Sequence, residues 1–323
     1  MNPVVSISCI TYNHAPYVRD ALDSFLSQRD VPFEVLIHDD HSTDGTEEII
    51  REYAAKFPGI IKPLYERENQ YSQGVTNISG VFNFPRAEGR YIAMCEGDDF
   101  WTDPYKLKKQ SEYMDYHPEC SMCCHSAENL DMSGAYKSTS IIRPYDSSRV
   151  LQPREVISHN TVIPTASLLF LTDAAKRLPE WYYDCPVGDA PLHLFMLLCG
   201  EVYYDDSPMS VYRTGRPGSW TVSMDEKSGT TEKWEKYYED MVKLYQAFNG
   251  ESGDRYTDEV AEALGRIRFF TDLNEGRDGE ILKKENAKFL SELPEREAFL
   301  LKMKARTPGL YELVRKTYKK FTK

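Results

Sequence analysis

What these 323 residues lack narrows the field first. No stretch approaches the roughly 20 apolar residues of a membrane span, and no signal peptide is visible, so a cytoplasmic protein is expected. No G-x-G-x-x-G follows the first apolar run and no Walker sequence occurs, which removes the main support for dinucleotide or P-loop binding. Positive charge is in deficit. Thirty-nine Lys and Arg against 51 Asp and Glu leave −12, a balance that argues against a general nucleic-acid binder. The seven cysteines are odd in number and scattered, which fits a reduced compartment rather than a disulfide scaffold. Cys120-Ser121-Met122-Cys123-Cys124-His125 imitates a zinc knuckle without a partner pair downstream. It reads instead as a buried strand following the helix that Pro118 ends.

The most informative stretch is Val35-Leu36-Ile37-His38-Asp39-Asp40, an apolar run that stops in two adjacent carboxylates. About 60 residues on, Tyr91-Ile92-Ala93-Met94-Cys95 runs into Glu96-Gly97-Asp98-Asp99 in the same way. Buried parallel strands read as near-continuous apolar runs, and open α/β sheets bind ligands beyond the carboxyl ends of their strands. Two acidic clusters at two strand ends therefore predict one shared site, suited to a divalent cation and the phosphate it carries.

The rest of the first 115 residues fits such a sheet. Val4–Ile10 predicts a first strand, Phe33–His38 a second, Ile60–Tyr65 a third and Tyr91–Cys95 a fourth. Val18, Ala21, Leu22, Phe25 and Leu26 stripe one helix, and Ile49, Ile50, Tyr53, Ala54 and Phe57 another. A helical segment is expected before Gly89, and Asp103-Pro104 predicts a helix with Asp as N-cap and Pro at its first position. Strand and helix alternate four times, the rhythm of a doubly wound α/β fold. Later expectations are a strand over Thr165–Leu171, a helix from Asp189 carrying Leu192, Phe195, Met196 and Cys199 on one face, and short strands at Val202–Tyr204 and Met209–Arg213. From about Glu232 the chain reads as helical, with breaks near Asn249-Gly250 and Asn274-Glu275-Gly276.

Thr11-Tyr12-Asn13 closes the first strand and offers an aromatic face and hydrogen-bonding groups to a base. Each piece also has a plain structural reading. Asp39 and Asp40 could cap a turn, Asp98 and Asp99 the next helix, Tyr12 could pack, and Asp189 directly before a helix is a good N-cap. At three strand ends of one sheet they favour a nucleotide diphosphate held by a metal.

Taken together, Thr11-Tyr12-Asn13, Asp39 through Thr46, Glu68-Asn69, Gly89 through Ala93, Glu96 through Trp101, Gly188-Asp189 and Tyr212-Arg213 resemble glycosyltransferase family 2 over about residues 3–220. This is a group of inverting nucleotide-sugar transferases with the GT-A fold. The resemblance implies an α/β fold with a Rossmann-like, mostly parallel sheet over 1–222. Residues 1–117 would be the donor half and 118–222 the acceptor half, with a helical extension at 223–323. It implies nucleotide contacts from Thr11, Tyr12, Asn13, Asp39, Asp40, Asn69 and Asp98. Mn²⁺ or Mg²⁺ would be held by Asp98, Asp99 and Glu96, and Asp189 would serve as the base. The donor would be a UDP- or dTDP-sugar and the acceptor a glycan, lipid-linked or free, in surface polysaccharide or glycolipid assembly.

Two positions depart from the pattern. The first acid of the metal motif is often Asp and here is Glu96; the His that many relatives carry two residues after Tyr-Arg is here Gly215. Arg213 and Arg216 suit the diphosphate, since a guanidinium matches phosphate in a fork. Residues 302–323 carry about +7 against −19 for the remainder. Their Leu310, Val314, Tyr318 and Phe321 form one helical face, suited to an anionic membrane surface or to docking on the acidic body. Two rival functions are a sugar-nucleotide-forming nucleotidyltransferase, which usually has a Gly-rich basic loop after the first strand, and a catalytically silent binding protein of this fold.

Overall fold

The computed structural model describes residues 2–133, 138–158, 163–216, 222, 224 and 230–307. The chain runs β1 (Val5–Thr11), α1 (Val18–Leu26), β2 (Phe33–Asp39), α2 (Thr46–Lys56), β3 (Ile61–Tyr65), β4 (Tyr91–Met94), β5 (Phe100–Trp101), α3 (Lys106–Tyr116), β6 (Cys120–His125) and β7 (Ala127–Asp131). It continues through β8 (Ser138–Ile142), β9 (Arg149–Val150), α4 (Pro153–Ile157), β10 (Leu169–Leu171), α5 (Thr172–Ala175), α6 (Glu180–Tyr183), α7 (Asp189–Cys199), β11 (Glu201–Asp205) and β12 (Ser210–Thr214). The helices α8 (Thr230–Glu251), α9 (Thr257–Asn274), α10 (Asp278–Ile281), α11 (Ala287–Glu292) and α12 (Glu295–Arg306) follow.

Among the described residues an eight-stranded sheet has the order β3-β2-β1-β4-β10-β6-β11-β9, with β5-β12-β7-β8 as a second, smaller sheet. Strands β3, β2, β1 and β4 are mutually parallel, whereas β10 is antiparallel to both its neighbours. Thus the expected GT-A type α/β fold is present. On one face Val5, Ile7 and Cys9 of β1 pack with Val18, Leu22 and Phe25 of α1. On the other face Met122, Phe170 and Val202 pack with Leu192, Phe195 and Met196 of α7. That second core continues into Met241, Leu244 and Phe248 of α8 and Ala263 of α9. The helical segment is therefore not separated from the sheet by solvent.

Three expectations shift. Helix α3 begins at Lys106, after a turn in which Tyr105 N–H donates to Asp103 Oδ1 at 2.8 Å, so Asp103 caps the turn and not the helix. The helical segment expected before Gly89 is present but irregular, a π-helical turn at Ser79–Asn83 followed by a 3₁₀ turn at Phe84–Arg86, and Asn83 Nδ2 donates from it to Ser8 Oγ and Cys9 O, each at 3.1 Å. Thr165–Ser167 is a single turn, and only Leu169–Leu171 is strand. Cys120–His125 is a wholly buried strand, as expected. Among the described residues no helix is long and apolar enough to cross a membrane. The basic amphipathic face at 310–321 lies outside the described residues.

Candidate active site

Register brings three strand ends together. Thr11 pairs with Asp39 across β1 and β2, and Ser8 pairs with Met94 across β1 and β4. The ladder then extends past β4, because Gly97 N–H donates to Ile10 O at 3.0 Å. A side chain at Gly97 would put its Cβ 2.5 Å from Thr11 Cγ2, so the acidic turn can lie against β1 only with glycine there.

The loops after β1 and β2 are stitched to each other. Thr11 Oγ1 donates to Asp39 Oδ1 at 2.7 Å, and Asp39 also accepts from Ser42 Oγ at 2.6 Å and Ser42 N–H at 3.1 Å. Asn13 sits at φ 54°, in the left-handed region that Asn tolerates, and its Oδ1 accepts from Thr43 N–H at 2.9 Å. Asn69 Nδ2 donates to Asp40 O at 3.0 Å while its Oδ1 accepts from Ser72 N–H at 2.7 Å. The side chains of Thr11, Asn13, Asp39 and Asn69, expected at the nucleotide, are thus engaged in holding the loops that would surround it. Tyr12 differs, being 49% exposed at the strand end. Asp40 is nearly buried; its two oxygens accept the Gln70 and Tyr71 amides at 2.7 and 3.1 Å, leaving a further lone pair on each oxygen. Exposed Tyr71, which the sequence reading passed over, therefore stands on the loop that clamps Asp40.

The acidic turn is tied down from β12. Arg213 N–H donates to Asp99 Oδ1 at 2.8 Å, its Nη1 donates to Asp98 O at 2.5 Å, and its Nη2 pairs with Asp20 at 2.5 Å. The guanidinium lies between the rings of Tyr17 and Phe100. Arg213, expected at the diphosphate, is buried and engaged in fixing the turn's backbone, on the strand that pairs with β5. Arg216 instead bonds the Asp98 carboxylate through Nε, and its Nη2 lies 3.0 Å from His14 Nε2. Gly215 has φ 69°, and a Cβ there would meet Ser133 Cβ at 2.7 Å, so an imidazole at that position has no room.

Negative charge is concentrated here. Burial pushes the Glu96 carboxyl up to about 8, with the Asp98 charge adding and Arg216 opposing. Burial and then Asp98 raise Asp99 well above the usual carboxylate range, against the Arg213 amide that favours its ionised form. His14 is lowered by burial, with Asp98 opposing. Among the described residues no group of three His, Cys, Asp or Glu side chains forms a ready-made metal cage.

The Asp189 charge acts on this cluster. The residue is exposed and is the first of α7, so Gly188 rather than Asp189 is the N-cap, and Asp189 Oδ1 accepts its neighbour Ala190's N–H at 2.8 Å. Its charge acts on Glu96 and, with those of Glu96, Asp99 and Asp98, raises the half-buried Tyr212 phenol after the dominant effect of burial. Asn77 holds the approach to α7: its Nδ2 donates to Tyr182 O at 2.7 Å and Cys185 O at 3.0 Å, and its Oδ1 would lie 2.9 Å from a Cβ on Gly188. Neither His14, Asp20 nor Asn77 carried a signal beyond proximity to a motif, since each acts through contacts distant in sequence.

A family model described as "Glycosyl transferase family 2" matches residues 6–177. An uncharacterised protein of Mycobacterium tuberculosis is 38% identical over 225 residues, 67% of this chain and 60% of its own. The chain thus spans about 60% of the length of that curated relative. Among solved structures, Staphylococcus aureus TarS residues 1–349 in complex with UDP-GlcNAc aligns with TM-score 0.59 at 20% identity, covering 98% of this chain and 91% of that one. The mannosyltransferase PcManGT of Pyrobaculum calidifontis, in complex with GDP-Man and Mn²⁺, aligns with TM-score 0.54 at 16% identity, covering 97% and 83%. At these identities the two structures bear on the fold alone.

Proposed function

The chain belongs to glycosyl transferase family 2, and on that premise we propose that it moves a sugar from a UDP- or dTDP-sugar to a glycan hydroxyl, with inversion and with Mn²⁺ or Mg²⁺. One observation carries the reading. An exposed Tyr12, the Asp40 carboxylate and the acidic turn lie at the ends of three adjacent parallel strands, and exposed Asp189 acts on the same cluster.

In this reading the Tyr12 ring stacks on the base, and Asp40 uses a remaining lone pair to accept a ring N–H. Asp98 Oδ1 is buried with no hydrogen-bond partner, and a hard oxygen donor left unsatisfied fits a divalent cation. Asp98, with Asp99 beside it, would hold that ion, and Glu96 would remain near it. A bound cation neutralises charge developing on the departing diphosphate. Asp189 takes the proton from the acceptor hydroxyl as that oxygen attacks the anomeric carbon from the face opposite the diphosphate. Its place at the N-terminus of an 11-residue helix favours a negative charge. Arg213 fixes the turn, and Arg216 is the guanidinium that remains near a diphosphate. The two solved structures carry different bases, UDP in one and GDP in the other, so the base assignment rests on Tyr12 and Asp40.

The acceptor we propose is a growing surface glycan, with residues 302–323 bringing a lipid-linked form within reach at an anionic membrane. A thermal-shift screen of nucleoside diphosphates with and without Mn²⁺ tests the donor site, because a ligand of the folded state raises the melting temperature. UDP or dTDP should stabilise more in the presence of Mn²⁺. No shift with any nucleotide would remove the transferase reading in favour of a silent fold.

A further inference from the structure

Two buried polar atoms without hydrogen-bond partners face each other beside the acidic turn. His14 Nδ1 and Asp98 Oδ1 are 4.0 Å apart, and both side chains are more than nine-tenths buried. Buried polar groups are ordinarily bonded, and 4.0 Å is too long for a direct bond. It is close to twice a metal–donor distance of about 2.0–2.2 Å. Gly97 keeps the gap open, since a Cβ on it would lie 3.1 Å from His14 Nδ1.

The opposite edges of the same two side chains share one cation. Arg216 Nη2 lies 3.0 Å from His14 Nε2, and Arg216 Nε bonds Asp98 Oδ2. A guanidinium only donates, so Nε2 accepts, and a neutral imidazole then carries its proton on Nδ1. With Arg216 in place, the His14 lone pair is turned away from Asp98 Oδ1. If the guanidinium leaves, the proton can move to Nε2, and Nδ1 then presents a lone pair across the gap. Residue 215 cannot supply an imidazole, for the backbone and packing reasons given above.

We propose that His14 and Asp98 are paired protein donors of a divalent-cation site, and that Arg216 is the resident stand-in cation, bridging both until a diphosphate draws the guanidinium away. The proposal deepens the transferase reading and rests on it for the diphosphate. Two consequences follow from linkage. The metal binds weakly to the protein alone, and diphosphate and metal each tighten the other by the same factor. An imidazole donor also tilts the site toward Mn²⁺ over Mg²⁺, which prefers oxygen and water.

The test is Mn²⁺ binding by electron paramagnetic resonance on the full chain, with and without UDP. Wild-type protein should bind Mn²⁺ roughly tenfold or more tightly with UDP present, and its pulsed spectrum should show histidine nitrogen coupling. His14→Gln should lose that coupling while keeping its melting temperature within a few degrees. Arg216→Gln should bind Mn²⁺ alone roughly tenfold more tightly than wild type and lose most of the gain from UDP. Absence of nitrogen coupling in the wild-type complex overturns the proposal without relying on any variant's folding, and so does an unchanged Mn²⁺ affinity in Arg216→Gln. Sugar transfer that persists in EDTA would sink this site and leave the transferase reading standing. Nitrogen-coupled Mn²⁺ in a protein that turns over no sugar nucleotide would do the reverse.

Discussion

Replacing Asp189 by Asn separates the proposed base from a charge at the first position of a helix. The carboxylate accepts one backbone hydrogen bond, from Ala190 N–H at 2.8 Å, on an exposed first helical residue. An Asn oxygen can accept the same bond, so the structural loss is the favourable charge at the helix N-terminus, about 0.3–1 kcal/mol. For a chain of this size that is a melting shift of roughly 4 °C at most. The proposed donor contacts lie on other elements, so UDP-sugar affinity by calorimetry should hold within a few-fold. Turnover should fall roughly 10²–10⁴-fold, as removal of a general base commonly does, a barrier increase of about 2.7–5.4 kcal/mol. The wild-type product should carry the anomeric configuration opposite to the donor's, read by NMR. An Asn variant within a few-fold of wild-type turnover, with chemistry shown to limit the rate, would refute the assignment. The base would then be sought at Glu180, which opens α6, or at exposed Asp184 after it.

Other expectations follow from the same geometry. UDP or dTDP should bind more tightly than GDP, ADP or CDP by calorimetry, and GDP or CDP binding as tightly as both would overturn the pairing of a pyrimidine ring N–H with Asp40. Gly97→Ala should lower stability by roughly 1–3 kcal/mol and weaken UDP binding, because its Cβ would fall 2.5 Å from Thr11 Cγ2; wild-type melting and affinity would contradict the packing argument. Burial pushes the Lys106 ammonium down to about 7, its Nζ donating to Gln110 Oε1 at 2.8 Å and lying 4.3 Å from the Trp101 ring centre. Between that pH and about 10.4 the unfolded chain holds the extra proton. The cost of burying the charge is therefore nearly full at pH 7 and is relieved as pH rises, so Lys106→Met should raise the melting temperature at pH 7 by a margin that narrows toward pH 10. A margin constant across that range would show that Lys106 titrates normally. Deleting 308–323 should reduce sedimentation with anionic liposomes, more so at low salt, while donor hydrolysis stays within a few-fold; equal sedimentation would remove the membrane role.

Much of residues 1–117 was legible because the signals there are local. An apolar run that breaks into Asp39-Asp40 or Glu96-Gly97-Asp98-Asp99 states both the strand and its polar end. The helix breaks near Asn249 and Asn274 were visible for the same reason, and α8 and α9 end at Glu251 and Asn274. The stretch 118–222 was less readable. Its short strands β7 to β9 carry few apolar residues, and β10 runs antiparallel in an otherwise parallel region, a pairing with no local mark. Helix α3 starts late because the Asp103 carboxylate binds the turn before it, a competition between two caps that spacing alone does not decide.

The sequence by itself determined which residues are acidic, aromatic or small, and periodicity and strand punctuation placed Tyr12, Asp40, Asp98 and Asp99 at strand ends. Only the tertiary structure decided which of those side chains have atoms left over. Asn13, Asp39 and Asn69 are committed to neighbouring loops, and Arg213 to the back of the acidic turn, through contacts up to 193 positions apart in the chain. It also set His14 against Asp98 and Arg216, residues 84 and 202 positions away. Hydrogen-bond capacity is a property of each residue, but its satisfaction depends on what the fold brings within about 3 Å, and that is not written in any local stretch of sequence.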